Sequence, residues 1–178
     1  LEKDETKRIN MVVKILWVLD EFVNPYPQDG GCDEGPGYWG AAAASLYDNI
    51  VMLNLASNNS FKYVYEDEKI KNMGRFIYRA QIGKDYFLNF ADADPKLKPD
   101  GIMLYRFGQK IKDAQLTQFG KWAIEKYPLA ISNNGFHRMR KIQNLLTVKN
   151  IGAQKNTFEP VKEAWFGDIQ VLTARANN

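Results

Sequence analysis

Apolar residues recur at intervals of three and four over most of the chain, the spacing that is typical of helices with one buried face. Reading this pattern with its proline and glycine breaks predicts six helices. The first runs to Val23, with Asp4 or Thr6 as its N-terminal cap, and the second begins at Pro36. The predicted ranges are 9–23, 36–56, 66–82, 99–109, 113–127 and 136–147.

The pattern changes near the C-terminal end of the sequence. Ile169, Val171 and Thr173 alternate with their neighbours, which predicts a β-strand. A single strand leaves its backbone hydrogen bonds unmade. We therefore expect one of two arrangements: pairing with the extended segment 86–90, or a sheet formed by residues outside this chain, which would make the chain a fragment.

Composition narrows the class of protein. The 178 residues suit one domain, and the net charge of +3 is too small and too dispersed to indicate nucleic-acid binding. No apolar run approaches the ~20 residues of a membrane-spanning helix. One cysteine, Cys32, excludes an internal disulfide and a multi-cysteine metal site, and the single His137 excludes a histidine-based one. We expect no metal and no cofactor.

The most unusual segment, residues 29–40, combines acidic residues, five glycines and two aromatic residues. Glycine lets a ligand approach the backbone closely. Tyr38 falls in the first turn of the predicted second helix, where the helix dipole favours an ionised phenol able to act as general base and then acid. Glu34 would orient that phenol or bind a sugar hydroxyl. The alternative is a structural helix start, with Tyr38 and Trp39 packed in the core.

Other polar residues are weaker candidates. Asn89 and Asp92 follow an apolar extended run, and such turns line clefts as often as they form Asx turns. Arg106, which lies among apolar residues, would pair with the acids of this turn, Asp92 and Asp94, or clamp a carboxylate. His137 lies near the start of the predicted helix 136–147. It would be either a ligand-binding residue or a surface histidine.

Three stretches resemble one protein family. The segment Asp29-Gly-Gly-Cys-Asp-Glu-Gly-Pro-Gly-Tyr-Trp-Gly40 resembles the Asp-Gly…Glu-Gly-x-x-Tyr-Trp signature of heparinase II/III-like polysaccharide lyases. Residues 86–93 and 163–175 are similar to later segments of that family. The resemblance implies a mainly α fold, an incomplete (α/α) toroid of paired antiparallel helices over 1–160. Residues 161–178 would then be a linker and the first strand of a β-sandwich absent from this chain.

The resemblance also implies an activity and its residues. These lyases cleave polysaccharides that contain uronic acids by β-elimination, in the periplasm or outside the cell. Tyr38 takes the role of general base and acid, with Glu34 supporting it. The expected partners are an anionic polysaccharide and the β-sandwich of the same polypeptide. The expected substrate-binding residues are Trp39, Asn89, Asp92, Arg106 and His137.

Two groups that the family uses are not expected within this chain. The asparagine or histidine that neutralises the substrate carboxylate comes from an earlier helix, and a further histidine comes from the sandwich. We therefore expect the chain alone to be inactive.

Two other functions stay open. The first is a non-catalytic helical domain that binds carbohydrate or serves as a scaffold. The second is a toroid glycoside hydrolase that uses two carboxylates, Glu34 and Asp92.

Overall fold

Aspartate side chains begin four of the helices in the computed structural model, which describes residues 2–128, 138–149, 151 and 156–175. Each accepts a hydrogen bond from the backbone N–H three residues later, at 2.7–3.2 Å. The capping residues are Asp4, Asp67, Asp100 and Asp113. In this part of the chain the fold is mainly helical. Its helices are α1 (Glu5–Val23), α2 (Ala43–Ala56), α3 (Glu68–Arg79), α4 (Gly101–Lys110), α5 (Ala114–Lys126) and α6 (Arg138–Val148).

The predicted second helix differs most from the structure. Residues Tyr38–Gly40 form a separate 3₁₀ turn, and α2 begins only at Ala43. The backbone at Ala42, with φ −88° and ψ −97°, departs from helical geometry and separates the two. Tyr38 is therefore not in the first turn of α2, and the prediction that placed it there was wrong.

Close contact between α4 and α5 depends on glycine. Gly101 lies against Gly120 and Ile124, and Gly108 lies against Thr117, so the two helices run antiparallel. A Cβ atom added to Gly120 would be 2.4 Å from the backbone nitrogen of Tyr105. Because no side chain separates the helices at these positions, their backbones touch.

Aromatic side chains fill the core beside this helix pair. The rings of Tyr47 and Phe107 stack with centroids 4.5 Å apart, which joins α2 to α4. The ring centroid of Phe119 in α5 lies 4.8 Å from that of Phe158 and 5.1 Å from that of Trp122. Such pairs contribute about 0.5–1.5 kcal/mol each beyond the burial of their area.

The C-terminal strand has a partner within the chain. Strand β4 (Val171–Ala174) pairs antiparallel with β3 (Glu163–Phe166), in a register that places Phe166 opposite Val171. The expected pairing with segment 86–90 was wrong, and the strand is not an orphan. The missed signal is the alternation of Ala164 and Phe166, which are buried, with exposed neighbours.

The hairpin packs directly on the helices. Phe166 meets Phe76 of α3 with ring centroids 4.9 Å apart, and the Arg79 guanidinium lies 4.8 Å from the Phe166 ring. The Thr173 hydroxyl donates to the Arg79 carbonyl at 3.1 Å. These contacts make β3 and β4 part of the same core as the helices.

The segment after α3 is extended and then turns. The predicted extended stretch is confirmed at Tyr86 and Phe87, whereas the prediction that the third helix continues to residue 82 was wrong. Strand β1 (Gln81–Gly83) pairs antiparallel with β2 (Tyr86–Phe87), and Gln81 is opposite Phe87. The chain then turns at Ala91, which has a φ of +50°. Within the described residues, no helix has both the length and the apolar character needed to cross a membrane.

Replacement of Gly120 by alanine should destabilise the protein by about 1–3 kcal/mol, because the added methyl group would overlap the Tyr105 backbone. The free energy of unfolding in urea measures this. Gly83→Ala is the matched control, since a Cβ there meets no atom within 4 Å. Equal stability of the two variants would contradict close backbone contact between α4 and α5.

The stability of the fold should decline at alkaline pH. Burial raises the pKa of Tyr78 from 10.0 to about 12, so the unfolded phenol ionises first. The stabilisation is complete below pH 10 and is lost as the pH rises from 10 to 12, at up to about 1.4 kcal/mol per pH unit. Urea unfolding between pH 8 and 11.5 should show a shallower decline in Tyr78→Phe than in the parent. Identical slopes of unfolding free energy against pH in the two proteins would contradict the raised pKa of Tyr78.

Candidate active-site cleft

A cleft of about 320 Å³ lies between the Tyr38–Gly40 turn and the residues that lead into α4. Tyr38 lines it and is exposed, with 42% of the residue's surface accessible. Lys98 and Asp100 lie on the opposite side, and Arg140 of α6 completes the polar lining. Apolar atoms from Ile77, Leu97, Pro99 and Met103 form much of the rest.

Trp39 explains why the turn presents Tyr38 to the cleft. The Trp39 residue is only 2% exposed, and its Nε1 donates to the Met73 carbonyl of α3 at 2.7 Å. Its ring also stacks near Phe107, at 6.5 Å between centroids. Of the two aromatic residues, the structural alternative therefore holds for Trp39, while Tyr38 remains accessible. A ring this deeply buried has no open face for stacking on a sugar.

Arg140 ties the same turn to α2 and α6. Its side chain is 3% exposed, and Nε donates to the Asp48 carboxylate at 2.7 Å. Its Nη2 donates to the Gly40 carbonyl at 2.9 Å. The buried guanidinium is thus both charge-paired and hydrogen-bonded, as a buried charge must be.

The opposite wall is held by a second polar group. Asn144 of α6 donates through Nδ2 to both carboxylate oxygens of Asp100, at 2.8 and 3.0 Å. Arg106 donates to the Asn144 side-chain oxygen at 3.1 Å and also to the Gln143 side chain. Its guanidinium lies 5.5 Å from the centroid of the Tyr47 ring. The expected pairing of Arg106 with the acids Asp92 and Asp94 is not formed, and its guanidinium donates instead to the Asn144 and Gln143 side chains.

Packing explains two glycines of segment 29–40, Gly30 and Gly35. Gly30 and Gly35 have φ of +78° and +83°, conformations that side chains resist. A Cβ at Gly30 would be 2.1 Å from the Asn72 backbone of α3, and one at Gly35 would be 2.7 Å from the Phe90 carbonyl. The space that a ligand would need at these two glycines is filled by protein.

The loop also contacts the C-terminal hairpin. The Asp29 carboxylate accepts from the Gly31 N–H at 2.9 Å and from the Asp168 N–H at 3.3 Å. In return, the Asp168 carboxylate accepts from the Gln28 N–H at 3.1 Å. Gly31 in addition lies against the Ile169 side chain. The stretches 29–40, 86–93 and 163–175, distant in sequence, therefore meet around one loop.

The remaining candidates lie elsewhere on this surface. Glu34, Asn89 and Asp92 are exposed and are not part of the cleft lining. Glu34 and Asp92 nonetheless belong to segments in contact, since Gly35 touches Phe90 and Ala93. His137 lies outside the described residues.

Arg140 and Asn144 were not among the site residues predicted from the sequence. They share one helical face with Gln143 and Thr147, at spacings of three, four and seven. Because a polar face opposite apolar residues such as Leu145 and Leu146 normally predicts exposure to solvent, this spacing gave no sign of their burial.

Two other ionisable groups in this region stay neutral. Burial raises the pKa of the Cys32 thiol and of the Tyr26 phenol, each above its ordinary value. Neither is suited to act as a nucleophile or base near neutral pH. Among the residues that the structure describes, no group of three or more His, Cys, Asp or Glu side chains is placed to hold a metal ion.

A larger groove, of about 690 Å³, runs between α1 and the elements α2 and α3. Its lining is mostly aliphatic, and two of its charged residues, Asp67 and Lys69, have structural partners. Asp67 caps α3, and Lys69 donates to the Val23 and Asn24 carbonyls at 3.1 Å. The smaller cleft, which holds an accessible tyrosine beside buried charges, is the better candidate for chemistry.

Comparison of the chain with models of known protein families gives no match, and comparison with curated proteins gives none either.

Replacement of Trp39 by phenylalanine should lower stability by about 1–3 kcal/mol, because the buried Met73 carbonyl loses its donor. Trp165→Phe is the matched control, since Trp165 is 55% exposed. Urea unfolding compares the two. A stable Trp39→Phe protein with reduced affinity for sugar would instead assign Trp39 to substrate binding.

Proposed function

We propose that this chain forms part of a polysaccharide lyase that cleaves polymers containing uronic acids, with Tyr38 as general base and acid. The observation that carries the proposal is the accessible Tyr38 phenol in a cleft whose neighbouring turn is fixed by Trp39 and Arg140. The contact among the three stretches that resemble heparinase II/III-like lyases supports it. A location in the periplasm or outside the cell belongs to the same proposal.

The helical arrangement is compatible with the proposed toroid over residues 1–160. An (α/α) toroid is built from antiparallel helix pairs, and α4 and α5 form such a pair through their glycine contacts. The proposed β-sandwich would begin in the region of β3 and β4, whose hairpin packs on α3.

The proposed reaction is a β-elimination. The Tyr38 phenolate removes the proton at C5 of the uronic acid, and the electron pair left behind is delocalised into the adjacent carboxylate. The bond between C4 and the glycosidic oxygen then breaks, and the phenol returns its proton to that oxygen. The products are a free sugar end and an unsaturated end with a double bond between C4 and C5. Neutralisation of the substrate carboxylate stabilises the intermediate charge.

The proposal gives the other candidates supporting positions. Glu34, Asn89 and Asp92, all exposed beside the 29–40 loop, would bind sugar hydroxyls of the polymer outside the cleft. Trp39 and Arg106 would act from within the protein, since both are held by internal hydrogen bonds. His137 stays a proposed substrate-binding residue.

A second candidate is a glycoside hydrolase that uses Glu34 and Asp92. The contact between their segments at Gly35 favours it, because two carboxylates from different segments would face one sugar. Product chemistry separates the two enzymes: a lyase product carries a conjugated double bond that absorbs in the ultraviolet, and a hydrolase product does not. Binding of sugar without either product would indicate a carbohydrate-binding domain.

Replacement of Tyr38 by phenylalanine in the natural full-length protein should reduce elimination at least ~100-fold, because the proton at C5 loses its acceptor. Ultraviolet absorbance of the unsaturated product during incubation with uronic-acid polysaccharides measures the rate. Tyr86→Phe is the matched control, since Tyr86 is 45% exposed and lies outside the cleft. Unchanged activity in Tyr38→Phe would remove Tyr38 from the mechanism.

A further inference from the structure

Helix α6 has its polar face turned inward. Arg140, Gln143 and Asn144 are buried, whereas Leu145 and Leu146 are more than half exposed. Most helices at a protein surface bury their apolar face instead. Among the described residues, the buried side chains of Arg140 and Asn144 hydrogen-bond to the elements that form the cleft.

We propose that Arg140 and Asn144 are positioning residues that set the separation of the two walls of the cleft and thereby hold the Tyr38 phenol in place. The two residues are one helical turn apart on α6, so their side chains emerge from the same face. Arg140 contacts one wall and Asn144 the other. The inference about Tyr38 geometry is structural, and only its effect on catalysis rests on the proposed function.

Arg140 fixes the wall that carries Tyr38. Its Nη2 donates at 2.9 Å to the carbonyl of Gly40, two residues after Tyr38, in a turn of only three residues. The charge pair with Asp48, at 2.7 Å, holds the guanidinium against α2. Without this donor, the 3₁₀ turn keeps the bond from the Trp39 side chain to Met73 and its local backbone bonds to Gly35, Ala41 and Ala42.

Asn144 fixes the wall formed by the start of α4. Its amide donates to both oxygens of Asp100, which caps α4 by accepting from the Met103 N–H at 3.0 Å. Arg106 holds the other end of the amide, through its bond to the Asn144 oxygen. This bond assigns the Asn144 nitrogen to Asp100 and leaves the amide one orientation.

Buried polar contacts of this kind fix the positions of the groups that they join more than they stabilise the fold. A well-packed apolar replacement of a buried charge pair is often neutral for stability, whereas the directional bonds that it removes are lost. Substitution of Arg140 alone removes only one member of its ion pair with Asp48 and is costlier, so Arg140→Lys, which keeps the charge, is the variant expected to move Tyr38 while preserving the fold.

The test uses the purified protein with ¹³C-labelled tyrosine, in which Tyr38→Phe identifies the Tyr38 NMR signal. Arg140→Met should shift or broaden that signal while most other tyrosine signals stay in place. Arg138→Met is the matched control: it makes the same chemical change on α6 at an exposed side chain and should leave the Tyr38 signal unchanged. An unchanged Tyr38 signal in folded Arg140→Met would overturn the proposal.

Two further variants test the proposal if Arg140→Met does not fold. Arg140→Lys keeps the charge beside Asp48 but lacks the second nitrogen that reaches Gly40, so the Tyr38 signal should still move. Asn144→Leu should move the signal less, because it frees the wall opposite Tyr38. A Tyr38 signal at its parent position in both folded variants would contradict the proposal.

Activity supplies an independent readout in the natural full-length protein. Arg140→Lys should lower kcat by about 10- to 100-fold with little change in KM, because misplacement of a catalytic group slows the chemical step. Activity that persists in Tyr38→Phe would refute the proposed function and leave the NMR result to decide the positioning. A rise in KM alone in Arg140→Lys would instead assign Arg140 to substrate binding and overturn its positioning role.

Discussion

The buried indole of Trp39 is the constraint on which the rest of this site depends. Its N–H must find an acceptor inside the protein, and the Met73 carbonyl of α3 supplies one at 2.7 Å. That bond fixes the short turn against α3 and α4, with the next residue's carbonyl held by Arg140. Tyr38, which precedes Trp39, is left exposed at the cleft. One buried aromatic residue thus orients its accessible neighbour.

Close backbone contacts supply the rigidity around this turn. Gly30 lies against α3, Gly35 lies against the chain at Phe90, and Gly120 lies against α4. At each of these positions a single methyl group would overlap backbone atoms, so the packing requires glycine there. The glycine-rich loop therefore connects the helices, the 86–93 segment and the C-terminal hairpin, and these contacts account for Gly30, Gly31 and Gly35.

Local patterns predicted much of the helical fold, while long-range contacts decided the rest. Apolar spacing and capping aspartates such as Asp113 located the helices, because these signals act within a few residues. The predicted start of α2 was wrong, because it depends on a contact between Trp39 and Met73, which are 34 residues apart. The partner of β4 was missed because β3 is a four-residue strand with a weak pattern. For the site, sequence singled out Tyr38 but gave no sign that Arg140, 100 residues away, bonds to Gly40.

The most direct test of the account is a crystal structure of the Tyr38→Phe variant of the full-length protein with a bound uronic-acid oligosaccharide. The account predicts a uronic acid in the cleft, with C5 about 3–3.5 Å from the position that the missing phenol oxygen would occupy. A sugar bound only in the larger groove beside α1, or with C5 far from residue 38, would contradict it.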